Sequence, residues 1–437
     1  MFLPRQTGLW RYSIFYLIVL SIFFFSTYGF ANWVTALRSD VGTAVFNWEK
    51  QIPLWPWTII PYWSIDLFYG FAILLARTKL ELNNLVKRLF TAQFICIIAF
   101  LLWPLMFSFQ RPILDGYFGM LFDILMGFDK PYNQAPSLHI TLLVILWAFY
   151  VQHLKGWLRY FLHLWFSLIG ISVLTTWQHH FLDVPLGALT GAICVWLWPA
   201  DRMSIFYKPI YPKQWRWATL YFVNMVISVI IAYWLGGWAL WLLWLSAALA
   251  IATLSYGIIG ANGFQKQKSG QFEPVVGGLL LPYRCIMRIN SQLWTRGQPA
   301  FNHVVDNLYI GKLPTKRLFT LHPFAAVIDL CAELAVPVLK THYTLIPVLD
   351  MTVPSIEDCK KGVQAIDAAR HDGDILVCCA LGYSRSATIV LAWLLVRGFA
   401  NNVEQAIAIL KKARPHVVIN DKHLNVLNQW ERLINEK

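Results

Sequence analysis

Residues 379–386 read Cys-Ala-Leu-Gly-Tyr-Ser-Arg-Ser, and this stretch decides the fold of the C-terminal part of the chain. It follows the apolar run Ile375–Cys378 and leads into the helix-like run Ser386–Leu395. We therefore read it as a tight loop between a buried strand and a helix. A cysteine and an arginine at this spacing can surround one phosphate with backbone N–H groups and a guanidinium, with the thiolate beneath it. The pattern indicates covalent hydrolysis of a phosphate ester.

The residue types in this loop suit that chemistry. Amide donors at a helix N-terminus lower the pKa of a thiol from about 8.5, so Cys379 is the predicted nucleophile. Arg385 offers a planar fork to two phosphate oxygens, and Gly382 permits the backbone angles of a tight loop. Ser384 belongs to the same phosphate-binding loop. Ser386 can donate a hydrogen bond to the sulfur when it leaves in the second half-reaction.

A longer stretch, from about residue 303 to the C-terminus, resembles the dual-specificity branch of the cysteine phosphatases. Asp306–Gly311 matches the opening strand of that family, and Val327–Leu330 matches an early core strand. The resemblance implies an α/β domain with a central sheet flanked by helices. Its substrates would be phosphate monoesters, carried by phosphorylated lipids or by phosphoproteins.

The same resemblance implies a general acid. In this family an aspartate on a mobile loop protonates the leaving oxygen, and the matching residue is Asp350, with Asp358 as the reserve candidate. The family usually has a histidine just before the nucleophile, where this chain has Cys378. That histidine helps to hold the loop and the thiolate, so its replacement leaves the pKa of the nucleophile open.

The N-terminal part has the composition of a polytopic α-helical membrane bundle. The chain is 57% hydrophobic with 22 Trp, and its charged residues become denser only from about residue 260. A bilayer core needs about 20 apolar residues per helix. We predict eight spans, over residues 12–35, 55–76, 90–108, 137–153, 158–176, 182–199, 217–235 and 238–259.

Basic residues predict the orientation of these spans. By alternation, the N-terminus and the loops at 77–88, 155–159 and 202–216 share one side and hold most Lys and Arg of the membrane part. The positive-inside rule makes this side cytoplasmic, and eight spans place the C-terminal domain there too. We predict a multi-pass protein of the plasma membrane, the inner membrane of a bacterium, with both termini in the cytoplasm. None of the seven cysteines falls in a predicted outer loop, where a disulfide could form. The five cysteines after residue 260 would lie in the reducing cytoplasm, which suits a thiolate enzyme.

A second set of polar residues lies in the predicted outer loops, at or beside span ends. Ser137 and His139 lie where a proline opens a helix, whose free N–H groups favour an anion. His179 and Asp183 are spaced i, i+4, so the carboxylate can orient the imidazole. Together with Arg111, these groups can converge between helices. One histidine can then attack phosphorus while another protonates the departing alkoxide.

These motifs resemble the type-2 phosphatidic acid phosphatase superfamily. The resemblance implies that His179 is the nucleophile, Asp183 its partner and His139 the acid. Arg111 and Ser137 would belong to the phosphate-binding motifs. The substrate would be a phospholipid or another phosphorylated lipid.

Two cations of that superfamily are missing, which leaves three alternatives for the membrane half. Pro104 replaces an expected lysine, and Ser172-Val173 replaces an expected Ser-Arg pair. The site is therefore similar to the branch containing inositol phosphorylceramide and sphingomyelin synthases, which transfer a headgroup between lipids. The membrane half is a lipid phosphatase, a lipid headgroup transferase or an inactive lipid-sensing anchor. Asp66, within the second span, is a further functional candidate because a carboxylate there is costly to bury.

The chain is thus predicted to contain three parts. Residues 1–259 form the lipid-phosphatase-like membrane domain, residues 260–302 a basic juxtamembrane connector, and residues 303–437 the dual-specificity phosphatase domain. The connector would lie on the anionic cytoplasmic leaflet. The net charge of +13 then follows from topology and this connector, without a nucleic-acid partner. Neither proposed mechanism requires a metal or a cofactor.

Overall fold

The structure, a computed structural model, describes residues 5–200, 205, 213–337 and 340–436. The chain divides into two compact units, Met1–Ile205 and Phe206–Lys437. This division falls before the last two predicted spans, which therefore belong to the same unit as the C-terminal domain. Most of the predicted loop at 202–216 lies outside the described residues.

The first unit is built from helices. They run over Leu9–Ala36 (α1), Ile59–Leu75 (α2), Lys79–Leu102 (α3), Gly116–Phe128 (α4), Leu138–His153 (α5), Trp157–Thr175 (α6) and Asp183–Leu197 (α7). Helices α1, α3 and α6, and α2 with the turn before it, are long and apolar enough to cross a membrane. Helices α5 and α7, with 16 and 15 residues, are shorter. All six coincide with predicted spans, and their crossing of a membrane stays a prediction.

Two details of the predicted spans are wrong. The span predicted at 90–108 is α3, which begins at Lys79, so most of the predicted loop at 77–88 is helical. Thr78 caps this helix by accepting a hydrogen bond from the N–H of Glu81. The predicted outer loop after residue 108 also contains a helix, α4, whose 13 residues fell below the length of a span.

The second unit begins with a helical hairpin. Trp215–Leu235 (α8) and Leu242–Leu254 (α9) are joined through Gly236 and Gly237, whose φ angles are +57° and +50°. These angles favour glycine and explain the sharp reversal. A π-helical turn, Ser255–Ile259, and a 3-10 turn, Gly260–Phe264, continue α9. Helix α8 and the stretch Gly237–Phe264 are both long and apolar enough to cross a membrane.

The connector is followed by a mixed five-stranded sheet. Two helices, Pro274–Leu279 (α10) and Leu281–Trp294 (α11), lead into the strands Phe301–Val305 (β1), Leu308–Lys312 (β2), Ala326–Cys331 (β3), His342–Val348 (β4) and Ile375–Cys379 (β5). The strand order is β1-β2-β5-β3-β4, with only the β1–β2 pair antiparallel. The flanking helices are Lys316–Leu321 (α12), Ile356–Ala369 (α13), Arg385–Val396 (α14), Val403–Ala413 (α15) and Asp421–Asn435 (α16). The predicted α/β architecture of the C-terminal part is confirmed.

Strand β5 places the predicted phosphate-binding loop at the centre of the sheet. Every residue of β5 is buried, as expected of a parallel strand covered by helices on both faces. Helix α14 follows it and is buried along nearly its whole length. It packs closely on α13, because Gly362 of α13 faces Ile389 of α14. A Cβ on Gly362 would lie 2.4 Å from Ile389 Cγ2.

We expect Gly362→Ala to lower the free energy of unfolding of the second unit by about 1–3 kcal/mol, because the added methyl overpacks this helix interface. Pulse proteolysis of the purified full-length chain in urea, following the C-terminal region, measures the change. Gly278→Ala in α10 is the matched control, since no atom lies within 4 Å of a Cβ at that position. Equal effects of the two substitutions would contradict the overpacking argument.

Candidate active site

The predicted phosphate-binding loop joins the end of β5 to the start of α14. The N–H of Gly382 donates to Cys379 Sγ at 3.2 Å, and Ser386 Oγ lies 3.4 Å from the same sulfur. Gly382 has a φ of +75°, and a Cβ there would lie 2.4 Å from the carbonyl carbon of Gly311. Both the backbone angle and the lack of space therefore require glycine. The loop closes around a buried sulfur.

The surroundings of Cys379 favour its thiolate form. Burial raises the pKa of this thiol, but the Arg385 guanidinium and hydrogen bonds from Ser386 and Gly382 outweigh it. Together they hold the pKa below its ordinary value. Burial instead raises the pKa of Cys378, which stands where the family usually has histidine. The loop thus stabilises the Cys379 thiolate without a preceding histidine, as a nucleophile requires.

Arg385 is held by Glu333, a carboxylate that the sequence analysis missed. Arg385 Nη1 and Nη2 donate to Glu333 Oε2 and Oε1 at 3.0 and 2.8 Å, and Nη1 also donates to the Val348 carbonyl at 2.8 Å. Both charged side chains are buried. Burial raises the pKa of Glu333, but the adjacent Arg385 outweighs burial and lowers it overall. The available sequence signal was an acidic residue shortly after the buried strand β3.

The predicted general acid, Asp350, lies beside this arginine. Its Oδ1 accepts a hydrogen bond from Arg385 Nη2 at 2.9 Å. Burial raises the pKa of Asp350 above its ordinary value despite the neighbouring guanidinium. A raised pKa favours the protonated carboxyl, which is the form that a general acid requires. The reserve candidate, Asp358, is not in the site, because it closes the N-terminal cap of α13 by accepting from the N–H of Ser355.

A second buried arginine, Arg414, supports the loop from behind and was also missed. Its Nε donates to the Gly382 carbonyl at 2.9 Å, and its Nη2 donates to the Leu381 carbonyl at 3.1 Å. These bonds occupy two loop carbonyls and hold the backbone of the loop in place. No local motif marks Arg414 in the sequence. Ser384 directly precedes α14, where its carbonyl accepts from the N–H of Thr388 at 2.9 Å.

In the first unit, the two predicted catalytic histidines line one cavity of about 320 Å³. His179 Nδ1 lies 3.2 Å from Asp183 Oδ2, and the same oxygen accepts from the N–H of His180 at 3.0 Å. The ring of His139 stacks on Tyr62 at 4.1 Å between centroids. The structure therefore brings both histidines and the orienting carboxylate together.

The other two predicted residues of that site have different positions. Arg111 Nη2 donates to the backbone carbonyls of Thr176 and Trp177 at 2.8 and 3.0 Å. Ser137 Oγ caps α5 by accepting from the N–H of Ile140 at 3.3 Å. Neither residue is among those that line the cavity. Backbone groups bind Arg111 Nη2 and Ser137 Oγ, and these two residues do not line the cavity with the histidines.

Further carboxylates, which the sequence pattern did not link to the two histidines, lie at or beside this cavity. Asp129 lines the cavity and accepts from the hydroxyls of Tyr28 and Tyr62 at 2.7 and 3.2 Å. Asp66, the further candidate, lines the same cavity. Outside the cavity lining, Glu49 Oε2 lies 2.9 Å from His180 Nδ1. The cavity thus combines two histidines with two carboxylates and several aromatic rings. Within the described ranges, no group of three His, Cys, Asp or Glu could hold a metal ion.

Comparison with known proteins assigns the C-terminal domain. Residues 308–433 match the family model described as dual specificity phosphatase, catalytic domain. A probable dual specificity protein phosphatase of Dictyostelium discoideum is 29% identical over 138 residues, which are 30% of this chain and 34% of that protein. The 123R protein of Invertebrate iridescent virus 6, named as a tyrosine phosphatase, is 27% identical over 139 residues, or 30% of this chain and 92% of that protein. The chain thus spans only about a third of the length of the Dictyostelium relative.

Solved structures show similar coverage. PTPMT1 in complex with PI(5)P is 25% identical, with a TM-score of 0.29, and the match covers 32% of this chain and 98% of that chain. Tk-PTP in the active form is 23% identical, also with a TM-score of 0.29, and the match covers 31% and 97%. The family match over 308–433 contains the loop geometry described above. This region is a catalytic domain of the dual specificity phosphatase type, and hydrolysis of phosphate monoesters is the activity of such a domain.

Proposed function

We propose that the chain is a membrane-bound phosphatase that hydrolyses phosphate monoesters at Cys379 on the cytoplasmic side, through a cysteinyl-phosphate intermediate. The observation that carries this proposal is the closed loop around Cys379. In it, a thiol with a lowered pKa lies next to an arginine held by Glu333. The membrane location rests on the helices that are long and apolar enough to cross a bilayer.

The geometry supports a two-step mechanism. The Cys379 thiolate attacks phosphorus while Arg385 and the loop N–H groups bind the nonbridging oxygens. The bond from phosphorus to the ester oxygen breaks, and Asp350 gives its proton to that oxygen. A water molecule then attacks phosphorus, with the Asp350 carboxylate accepting its proton. The phosphorus–sulfur bond breaks, and Ser386 donates a hydrogen bond to the departing thiolate.

Contact between Asp350 and Arg385 has a consequence for substrate binding. The two side chains meet at 2.9 Å, so a phosphate that binds Arg385 competes with the Asp350 carboxyl for the same guanidinium. Displacement from Arg385 would free Asp350 to turn toward the leaving oxygen. Glu333 keeps its two bonds to Arg385 throughout, which maintains the orientation of the guanidinium.

A second candidate function belongs to the membrane half. His179, oriented by Asp183, would attack the phosphorus of a lipid on the outer face, and His139 would protonate the leaving oxygen. Asp66 and Asp129 in the same cavity disfavour the dianionic phosphate of phosphatidic acid. They suit a phosphodiester headgroup that carries an ammonium, which aromatic rings also bind. The cavity therefore favours headgroup transfer over hydrolysis of phosphatidic acid.

We expect Cys379→Ser to abolish release of phosphate from an aryl phosphate by the purified full-length chain, because a hydroxyl at this position is not ionised near neutral pH. The variant should still bind inorganic phosphate, since the loop and Arg385 remain. Cys285→Ser, which changes an exposed cysteine on α11, is the matched control and should keep full activity. Aryl phosphatase activity that survives Cys379→Ser would refute the proposed nucleophile.

The pH dependence of the same reaction should identify Asp350 as the acid. Activity should rise with pH through the lowered pKa of Cys379, which must be ionised, and fall through the raised pKa of Asp350, which must be protonated. Asp350→Asn should reduce kcat by about 10²–10⁴-fold for poor leaving groups and remove the alkaline fall. A profile of kcat/KM against pH measures both effects. Persistence of the alkaline fall in Asp350→Asn would exclude Asp350 as the acid.

In the Cys379→Ser background, we expect His179→Ala to eliminate release or transfer of a lipid headgroup in vesicles with an acceptor lipid, because the nucleophile is lost. Mass spectrometry of the lipids distinguishes a transferred headgroup from a hydrolysed one. His163→Ala is the matched control, since His163 lies outside the cavity lining. No lipid turnover in the Cys379→Ser chain would instead make the membrane half an inactive anchor.

A further inference from the structure

Elements outside the matched phosphatase domain are hydrogen-bonded directly to its catalytic loops. The Tyr256 hydroxyl, in the π-helical turn after α9, donates to the backbone carbonyl of Asp350 at 3.1 Å. Ser291 Oγ of α11 donates to the carbonyl of Ala380, inside the phosphate-binding loop, at 2.9 Å. The Tyr383 hydroxyl of that loop donates to the carbonyl of Trp294 at the end of α11. The loop that holds Asp350, called the acid loop below, and the phosphate-binding loop therefore each contact a helical element that precedes the sheet.

The first of these elements is the hairpin of α8 and α9. Both of its arms are long and apolar enough to cross a membrane, and large apolar side chains are exposed along α8. The chain that leaves the hairpin is fixed in the phosphatase fold. Lys266 Nζ lies 2.6 Å from Asp329 Oδ2 and donates to the Cys331 carbonyl at 2.8 Å. Lys266 and Asp329 are buried, so no free linker separates the hairpin from the sheet.

The second element, α11, is amphipathic. Ile286, Ile289 and Leu293 follow the i, i+3, i+7 spacing of one helix face, and all three are more than half exposed. Trp294 ends the helix and is 69% exposed, while Arg288 lies exposed on another face. An exposed apolar face with a terminal tryptophan and a basic flank is typical of a helix in the plane of a membrane interface. A bilayer is therefore the covering that fits this face, and the neighbouring hairpin would enter the same bilayer.

Three tyrosines join these elements beside the acid loop. Tyr221 of α8 and Tyr283 of α11 have hydroxyls 3.3 Å apart, and the Tyr221 ring lies 5.2 Å from the ring of Tyr256. Tyr256 in turn bonds Asp350. The position of Asp350 is thus tied to the apolar hairpin and to the amphipathic helix α11 together.

We infer that the substrate of the Cys379 site is a lipid whose headgroup ends in a phosphate monoester, taken from the membrane that holds α8 and α9. This inference rests on the proposed Cys379 phosphatase. With the hairpin in the bilayer and α11 on its surface, the loops that they contact lie at headgroup level. The exposed arginines of the connector attract anionic lipid to this level. Acyl chains confine such a substrate to the same surface and raise its effective concentration at the site.

The test uses the full-length His179→Ala chain, so that the membrane cavity does not contribute, reconstituted in phosphatidylcholine vesicles. Two lipids, phosphatidic acid and phosphatidylinositol 4-phosphate, are each compared with their deacylated, water-soluble counterparts. A phosphotyrosine peptide and an aryl phosphate complete the set. We expect kcat/KM for at least one lipid to exceed that for its soluble counterpart by about tenfold or more, from the gain in effective concentration. Cys379→Ser should abolish this turnover.

The apolar face of α11 supplies the matched variants. Ile289→Asp and Leu293→Asp should reduce lipid turnover by about tenfold, because a charge disfavours insertion of the helix, and should leave aryl phosphate turnover unchanged. Gln292→Asp introduces a charge at an exposed polar position of the same helix and should leave both activities unchanged. The aryl phosphatase readout also shows that each variant is folded.

The possible results separate the two proposals. Equal kcat/KM for both lipids and their soluble counterparts, or a preference for the phosphotyrosine peptide, would overturn the lipid assignment while leaving the Cys379 phosphatase intact. Loss of lipid turnover in Gln292→Asp equal to that in Ile289→Asp would overturn the role of the apolar face. No Cys379-dependent turnover of the aryl phosphate would refute the proposed function itself, and the inference with it.

Discussion

The buried guanidinium of Arg385 is the constraint on which the catalytic domain depends. A charge removed from water must be paired, and breaking a buried pair costs about 3–5 kcal/mol. Arg385 is paired by Glu333 after β3 and by the Val348 carbonyl at the end of β4, and Asp350 follows that strand. Because Arg385 itself follows β5, one side chain links the carboxyl ends of three parallel strands. The proposed nucleophile, Cys379, and the proposed acid, Asp350, are thereby held at one edge of the sheet.

Contacts between residues that are close in sequence could be predicted, whereas contacts between residues far apart in sequence could not. Cys379 and Arg385 share one loop, so their spacing alone predicts the geometry, and the apolar runs around them predict the strand and the helix. Glu333 contacts Arg385 from 52 residues away, and Arg414 reaches the Gly382 carbonyl across 32 residues. Neither belongs to a periodic pattern or a short motif. Both are single charged residues whose importance appears only when the fold buries them.

The first unit shows the same limit. Apolar runs locate its helices, but charges in the first turns of α3 were read as loop. The structure shows why they are tolerated there: Glu81 pairs with His153 at 2.9 Å, and Arg88 Nε donates to the Trp198 carbonyl at 2.8 Å. The i, i+4 spacing of His179 and Asp183 is local and was found. Asp129, which follows α4, lines the same cavity. The apolar run of α4 was too short to be predicted as a span.

The residues that match the family model do not complete the fold of the catalytic domain. Asp329, at the centre of the sheet, receives Lys266 from the connector as well as the hydroxyl of Tyr343. Burial disfavours the charge on Lys266, yet Asp329 outweighs burial and holds the pKa of Lys266 above its ordinary value. A chain cut after Lys266 would leave Asp329 as a buried carboxylate without its cation. The connector is therefore part of the catalytic fold, because its Lys266 pairs with the carboxylate of Asp329 that is buried in the sheet.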